Sequence, residues 1–212
     1  MSRISHRNAD RKKSYMRIQF VCISVAIAVF AAASASNAQR ASSPDLKTVA
    51  KVDLDRFAGK WYEIGRYKAQ FVSKCVGNAA ITYTLKPKER IEVRDECLLK
   101  NSKIHTTKGE AKVADTTSNA KLKVHFGLST FDWISATWED QWIIDLDKDY
   151  RYAALGDPDR EHLFILSRQA RLDDKTYQDI LRRAEALGFD PAKVVKTPQG
   201  VEVVKGTVIV KQ

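Results

Sequence analysis

Few side chains in this sequence are of a type and spacing that could do chemistry. Beyond the first 38 residues the only thiols are Cys75 and Cys97, and His105 and His125 each stand alone inside alternating runs. Covalent catalysis needs a free thiol, and acid–base catalysis needs a placed acid and base. Glu63 and Asp145 are too distant in sequence to be read as a carboxylate pair, and His105, which shares the inward face with Thr107 and Val113, is a lone His of the kind more often structural. Metal-ligand spacing, a phosphate-binding loop and a Ser-His-Asp arrangement are all missing from the pattern. Haem ligation by His105 or His125 has nothing beside it in support. The expectation is therefore no catalytic residue, no metal and no cofactor. A different feature stands out: Phe131, Trp133 and Trp138 lie in an irregular stretch, 127–140, where large aromatics need a surface or a ligand to cover.

The elements that would position these residues begin after a targeting segment. Arg3, Arg7, Arg11, Lys12, Lys13 and Arg17 precede an apolar run from Ile18 to Ala33, followed by small residues up to Ala38. Basic, apolar and small residues in that order form a secretory signal peptide, 1–38, with Ser36-Asn37-Ala38 as the best cleavage site and Ala33-Ser34-Ala35 as the runner-up. The run is shorter than the roughly 20 residues of a membrane span. Cleavage would remove six basic residues and one acidic residue, about half of the net charge of +10, so that charge gives no reason to expect a nucleic-acid partner. Cys22 would leave with the leader, and Gln19-Phe20-Val21 before it lacks the small residues of a lipidation site. The expected location is periplasmic or secreted, without a clear lipid anchor. An even pair of cysteines in such a chain suggests a Cys75–Cys97 disulfide.

A polar linker, 39–51, leads to the folded part. Leu54 and Phe57 share one side of a short helical turn, after which the residues become β-prone at Trp61. Gly77–Leu85 and 89–98 flank Lys86-Pro87-Lys88, a hairpin signal. Setting Ile81 opposite Ile91, Ala79 opposite Val93 and Cys75 opposite Cys97 buries the odd-numbered face and permits the disulfide. Ile104–Ala114, Lys121–Phe126, Trp142–Leu146, Tyr150–Leu155 and His162–Ser167 are five more short strands joined by turns. The fold class is all-β, an eight-stranded antiparallel up-and-down β-barrel with room for one small ligand. One α-helix follows, capped by Asp173, striped by Tyr177, Ile180, Leu181, Ala184 and Leu187, and stopped by Gly188; it packs outside. The barrel domain runs over 52–200, and the tail 201–212 is open between an added strand and no fixed structure.

Three short motifs then resemble the signatures of the lipocalin family: Gly59-x-Trp61 after the helical turn, Asp147-Lys-Asp-Tyr150 between the sixth and seventh strands, and Arg168 at the end of Phe-Ile-Leu-Ser-Arg. The subgroup most similar is that of the bacterial lipocalins and apolipoprotein D, on Trp61-Tyr-Glu-Ile64, Ala80-Ile-Thr-Tyr-Thr-Leu85 and Gly188-Phe-Asp190. The resemblance implies that Arg168 lies over Trp61 at the closed end of the barrel and that the three motifs are structural. It also implies a carrier for a fatty acid, lysophospholipid or similar hydrophobic ligand, with a role in envelope lipid maintenance. Strand parity nominates Ala79, Ile81, Val93, Leu122, Val124, Phe126, Trp142 and Phe164 as the ligand-binding wall, with headgroup contacts at the mouth. Two other classes stay open. Some members of the family catalyse isomerisation or epoxide chemistry in the barrel. Alternatively, the Trp-rich loop could serve as an interaction surface, with Trp133 and Trp138 meeting a partner or, peripherally, a membrane. Lys100, Lys103, Lys108, Lys112, Lys121 and Lys123 could face anionic headgroups. A monomer or a dimer fits equally.

Overall fold

The computed structural model describes residues 45–68, 74–87, 90–126 and 138–211. Residues 1–38, the expected leader, and most of the insertion, with Phe131 and Trp133, lie outside them. The described residues belong to one compact unit, Asp45–Gln212.

Helix α1 (Leu54–Phe57) starts where the Asp53 carboxylate accepts from Asp55 N and Arg56 N at 3.0 and 3.2 Å, satisfying donors that have no partner within the helix. Gly59, at φ +95°, turns the chain into β1 (Gly59–Tyr67). There follow β2 (Cys75–Lys86), β3 (Arg90–Leu99), β4 (Ile104–Val113), β5 (Lys121–Phe126), β6 (Glu139–Leu146), β7 (Tyr152–Gly156) and β8 (Leu163–Ser167). Each strand pairs antiparallel with the next, and β8 pairs with β1. The sheet closes where β1 returns to β2, with Gly59 opposite Tyr83 and Trp61 opposite Ile81.

Above Tyr62 and Ala80 the ladder between β1 and β2 stops, and later residues bridge the gap. The short strand β9 (Val194–Lys196) adds to β1, while Gln199 Nε2 donates to Glu63 O and Ala79 O at 2.7 and 2.8 Å. The side-chain amide thus satisfies one carbonyl on each side of the opening.

Helix α2 (Asp174–Ala186) has Asp173 as its N-cap and buries Tyr177, Ile180 and Ala184. These pack on Ile64, Ile144, Ala154, Leu163 and Ile165, which point out of the barrel. Gly188, at φ +91°, ends it, with Gly188 N donating to Glu185 O and Phe189 N to Ala184 O, a Schellman termination. Gly156 is glycine for want of room, since a Cβ there would lie 2.4 Å from Phe189 Cζ.

Four sequence-based expectations need correction. First, the hairpin of β2 and β3 is shifted: Tyr83 faces Val93 and Leu85 faces Ile91, so Ile81 meets Asp95 instead of Ile91. Irregularities between Cys75 and Gly77 and between Gly77 and Ala80 absorb the extra residues. The shift is even, so odd-numbered residues still face inward. The Cys75–Cys97 disulfide forms at a Cα–Cα distance of 5.7 Å although Cys75 is opposite Leu99 in the ladder. Second, Glu139 and Asp140 open β6 and so belong to a strand, not to the irregular insertion. Third, the sequence reading has no β9, because three residues without clear alternation give no periodic signal. Fourth, part of the polar linker is packed: Leu46 is buried against the outer cluster, and Val49 N donates to Ile143 O at 3.0 Å. The tail is a hairpin of β10 (Val201–Val204) and β11 (Thr207–Val210), held at its base by Asn78, which bonds both Val201 N and Val201 O.

Candidate binding site

One end of the barrel is sealed by side chains. Trp61 is fully buried, its indole N–H donating to Phe57 O at 2.8 Å and its ring 5.1 Å from that of Phe57. The Arg168 guanidinium lies 3.7 Å from the Trp61 ring centre and donates to Lys60 O, Arg56 O, Phe57 O and Ala58 O at 2.6–3.0 Å. Three of those carbonyls belong to the end of α1, where a cation offsets the helix dipole. Burial lowers the Arg168 pKa, and the guanidinium remains charged.

The turn 147–151 holds the other side of the floor. Asp147 accepts from Asp149 N, Arg151 N, Arg151 Nε and Arg151 Nη2 at 2.8–3.2 Å. Those bonds, the Arg151 side chain first, lower its pKa to about 2. The turn keeps Tyr150 at φ +60°, and the Tyr150 hydroxyl accepts from Asp53 N at 2.8 Å while Arg56 stacks 4.1 Å over its ring. The second signature therefore caps the helix that precedes the first.

Above the floor is a cavity of about 540 Å³, within the roughly 300–1,000 Å³ typical of small-molecule sites. Ala79, Ile81, Val124, Phe126 and Phe164, all nominated from parity, line it, and Leu166 adds to the same wall. Val93 and Leu122 do not reach it: both are fully buried in the packed cluster with Trp61, Phe57 and Tyr83. Trp142 also lies elsewhere, against the outer cluster, with Lys121 4.2 Å over its ring. The register places Val93 and Leu122 too close to the floor. Trp142 faces out because β6 presents Glu139, Gln141 and Ile143 inward, with Gln141 accepting from Tyr83 Oη at 2.7 Å.

Sequence reasoning missed the polar part of the cavity. Glu63 and Arg66 of β1, Asp95 of β3 and Glu139 of β6 line it, with His105 of β4 and His162 before β8. Arg66 Nε lies 3.2 Å from Glu63 Oε1 but is buried without a hydrogen bond of proper alignment. Burial raises the Glu63 pKa against the opposing effect of Arg66. Asp95 is raised to about 7, first by burial and then by the Glu63 charge. The signal was legible: Asp95 follows Ile91 and Val93 on the inward parity of one strand. His105 shares a hydrogen bond with Thr107 at 3.3 Å, and Asp145 is outside the barrel, paired with Arg183 at 2.7 Å. Among the described residues no group of His, Cys, Asp or Glu is arranged to hold a metal. Trp138 packs outside as well, 5.6 Å from His125 and under Lys112.

A closed antiparallel barrel with a packed floor and a lined cavity above it has the architecture of a cup-shaped binding protein. A family model described as a lipocalin-like domain matches residues 52–199; the chain belongs to the lipocalin family, which binds small hydrophobic ligands. It is 36% identical over 156 residues to temperature-induced lipocalin-1 of Arabidopsis thaliana, covering 73% of this chain and 83% of that one. It is 30% identical over 148 residues to the outer membrane lipoprotein Blc of Citrobacter freundii, covering 69% and 79%. The fold is also that of insecticyanin from the tobacco hornworm Manduca sexta, with a TM-score of 0.56, 22% identity and coverage of 73% and 84%.

Proposed function

We infer that the protein carries a single-chain lipid, a fatty acid, lysophospholipid or similar amphiphile, in the barrel, and does so without catalysing a reaction. The observation behind this reading is the cavity of about 540 Å³ whose apolar wall is built by Ala79, Ile81, Val124, Phe126 and Phe164 above a sealed floor. Burying an acyl chain there gains roughly 0.8 kcal/mol per CH₂. A leader over 1–38 and the Cys75–Cys97 disulfide support a periplasmic or secreted site of action, in lipid storage or transport within an envelope. Blc is by name an outer-membrane lipoprotein. No helix among the described residues is long and apolar enough to cross a membrane.

Native mass spectrometry of protein taken from the exported fraction, followed by denaturation and identification of what is released, tests this. A lipid bound at about one per chain is the expected result. Protein that is empty and takes up no added single-chain lipid would refute the carrier. Ala79→Trp, which fills the cavity from its wall, should abolish uptake while the disulfide and fold persist.

A further inference from the structure

Most of the charged groups around the cavity already have partners. Glu96 is paired with Arg94 at 3.3 Å, Asp140 with Lys123 at 3.0 Å, His162 with Asp157 at 3.2 Å, and Glu63 with Arg66 at 3.2 Å. Asp95 makes no hydrogen bond and no ion pair among the described residues, and the more distant Arg66 charge offsets only part of its burial. Asp95 also lies deep. In the sheet register it shares a row with Ile81 and Thr107, and Ile81 is opposite Trp61 of the floor. Glu139, at the β6 end of the cavity, is a further carboxylate without an ion pair among those residues. Among the described residues that line the cavity, Arg66 is the one Arg or Lys, beside the carboxylates Glu63, Asp95, Glu96, Glu139 and Asp140.

Resting on the reading above of a carrier for single-chain amphiphiles, and narrowing it away from fatty acids, we propose that the cavity selects those bearing a protonated amine, which enter polar end first and place the ammonium group against Asp95. A buried carboxylate without a partner is costly, and a charge-assisted N–H···O bond offsets that cost. An ammonium with three donors can meet Asp95 and the free lone pairs of Glu63 together. The alkyl chain then runs toward the mouth along Ala79, Phe126 and Phe164. An anionic headgroup at the same depth would face the Asp95 carboxylate, with Glu63 beside it. Because the ammonium stabilises ionised Asp95, its binding releases a proton wherever Asp95 is still protonated in the empty barrel.

The test compares 1-dodecylamine, 1-dodecanol and dodecanoate below their micelle concentrations by calorimetric titration at pH 8.5. The amine should bind about ten-fold tighter than the alcohol, with dodecanoate the weakest of the three. In Asp95→Asn the amine-to-alcohol ratio should fall to near one. Dodecanoate binding as tightly as the amine, or a ratio unchanged in Asp95→Asn, overturns the proposal and leaves the carrier reading standing. Failure of all three ligands to bind refutes both.

Should Asp95→Asn not fold, the unmodified protein still decides the question. Its amine-to-alcohol ratio should rise between pH 5 and pH 8.5, and a flat ratio overturns the proposal. The charged and titratable groups that line the cavity with Asp95 are Glu63 and Arg66 on β1, Glu96 on β3, His105 on β4, Glu139 and Asp140 on β6 and His162 before β8. A His105→Asn, His162→Asn double variant should keep the pH dependence, and its loss would assign the effect to the histidines and overturn the role of Asp95.

Discussion

On β3 the inward positions run Ile91, Val93, Asp95 and Cys97, and the barrel changes character between the second and the third. Below that level, Trp61, Phe57, Tyr83, Val93 and Leu122 form one packed cluster, and each polar group described there is bonded, from the Trp61 indole to the Tyr83 hydroxyl. Above it Glu63, Asp95 and Glu139 line the cavity together with Arg66, which the irregularity of β1 between Glu63 and Gly65 turns inward, and among the described residues neither Asp95 nor Glu139 has an ion pair. The floor is built for stability, with dense packing and complete hydrogen bonding. The cavity half gives up stability by keeping charge and space inside the barrel. A buried charge without a partner persists when something other than folding requires it.

If the floor is the stabilising half, Trp61→Ala should have the largest effect, about 3–5 kcal/mol, measured by urea unfolding. A loss under about 1 kcal/mol would mean the floor is not the keystone. In the cavity half the main brace is the disulfide. Replacing Cys75 and Cys97 together by Ala should cost about 3 kcal/mol for a loop closed by 22 residues of separation. That loss should appear in unfolding midpoints without disturbing the near-UV signal of Trp61.

Asp95→Asn should act in the opposite direction. The folded-state pKa is raised to about 7, so the folded protein holds this proton more tightly than the unfolded chain. Stability linked to Asp95 is complete below the ordinary carboxylate range and is lost as pH rises through about 7. Ligand-free Asp95→Asn should therefore exceed the parent by about 1–3 kcal/mol at pH 8.5 and match it near pH 4. A variant less stable than the parent at both pH values would show that Asp95 is structural.

Asp147 gives the smallest effect and the reverse sign. Its pKa is held down at about 2, so its contribution is present above the ordinary carboxylate range and lost as pH falls through about 2. The partner Arg151 side chain is 70% exposed, and solvent screens that interaction. Asp147→Asn should cost about 1 kcal/mol at pH 7 and nothing near pH 2. Equal costs at both values would assign its role to turn geometry instead of charge.

The strands, the helix with its Asp173 and Gly188 boundaries, and the floor motifs were legible because each depends on local periodicity or on residue types with a single strong reason to stand where they do. Gly59 meets a positive φ, and Arg168 pairs with Trp61. The wall was legible in part. Parity identifies inward residues but not their height, so Val93 and Leu122 were grouped with Val124 and Phe126, although the first two lie in the packed cluster. Trp142 fails for another reason: β6 starts at Glu139 and presents Glu139, Gln141 and Ile143 inward, so Trp142 takes the outward face.

The sequence by itself determined the alternation, the turns, the caps and hence the closed barrel, since these are set by neighbours a few residues apart. Only the tertiary structure decided which inward residues border empty space. That depends on how the β2–β3 register, displaced by its irregularities, aligns Asp95 with Ile81, and on how β9 and Gln199 close the gap beside Glu63. The β9 and Gln199 contacts join residues more than 100 positions apart, and the charges of Glu63 and Asp95 interact strongly only because folding removes the water between them.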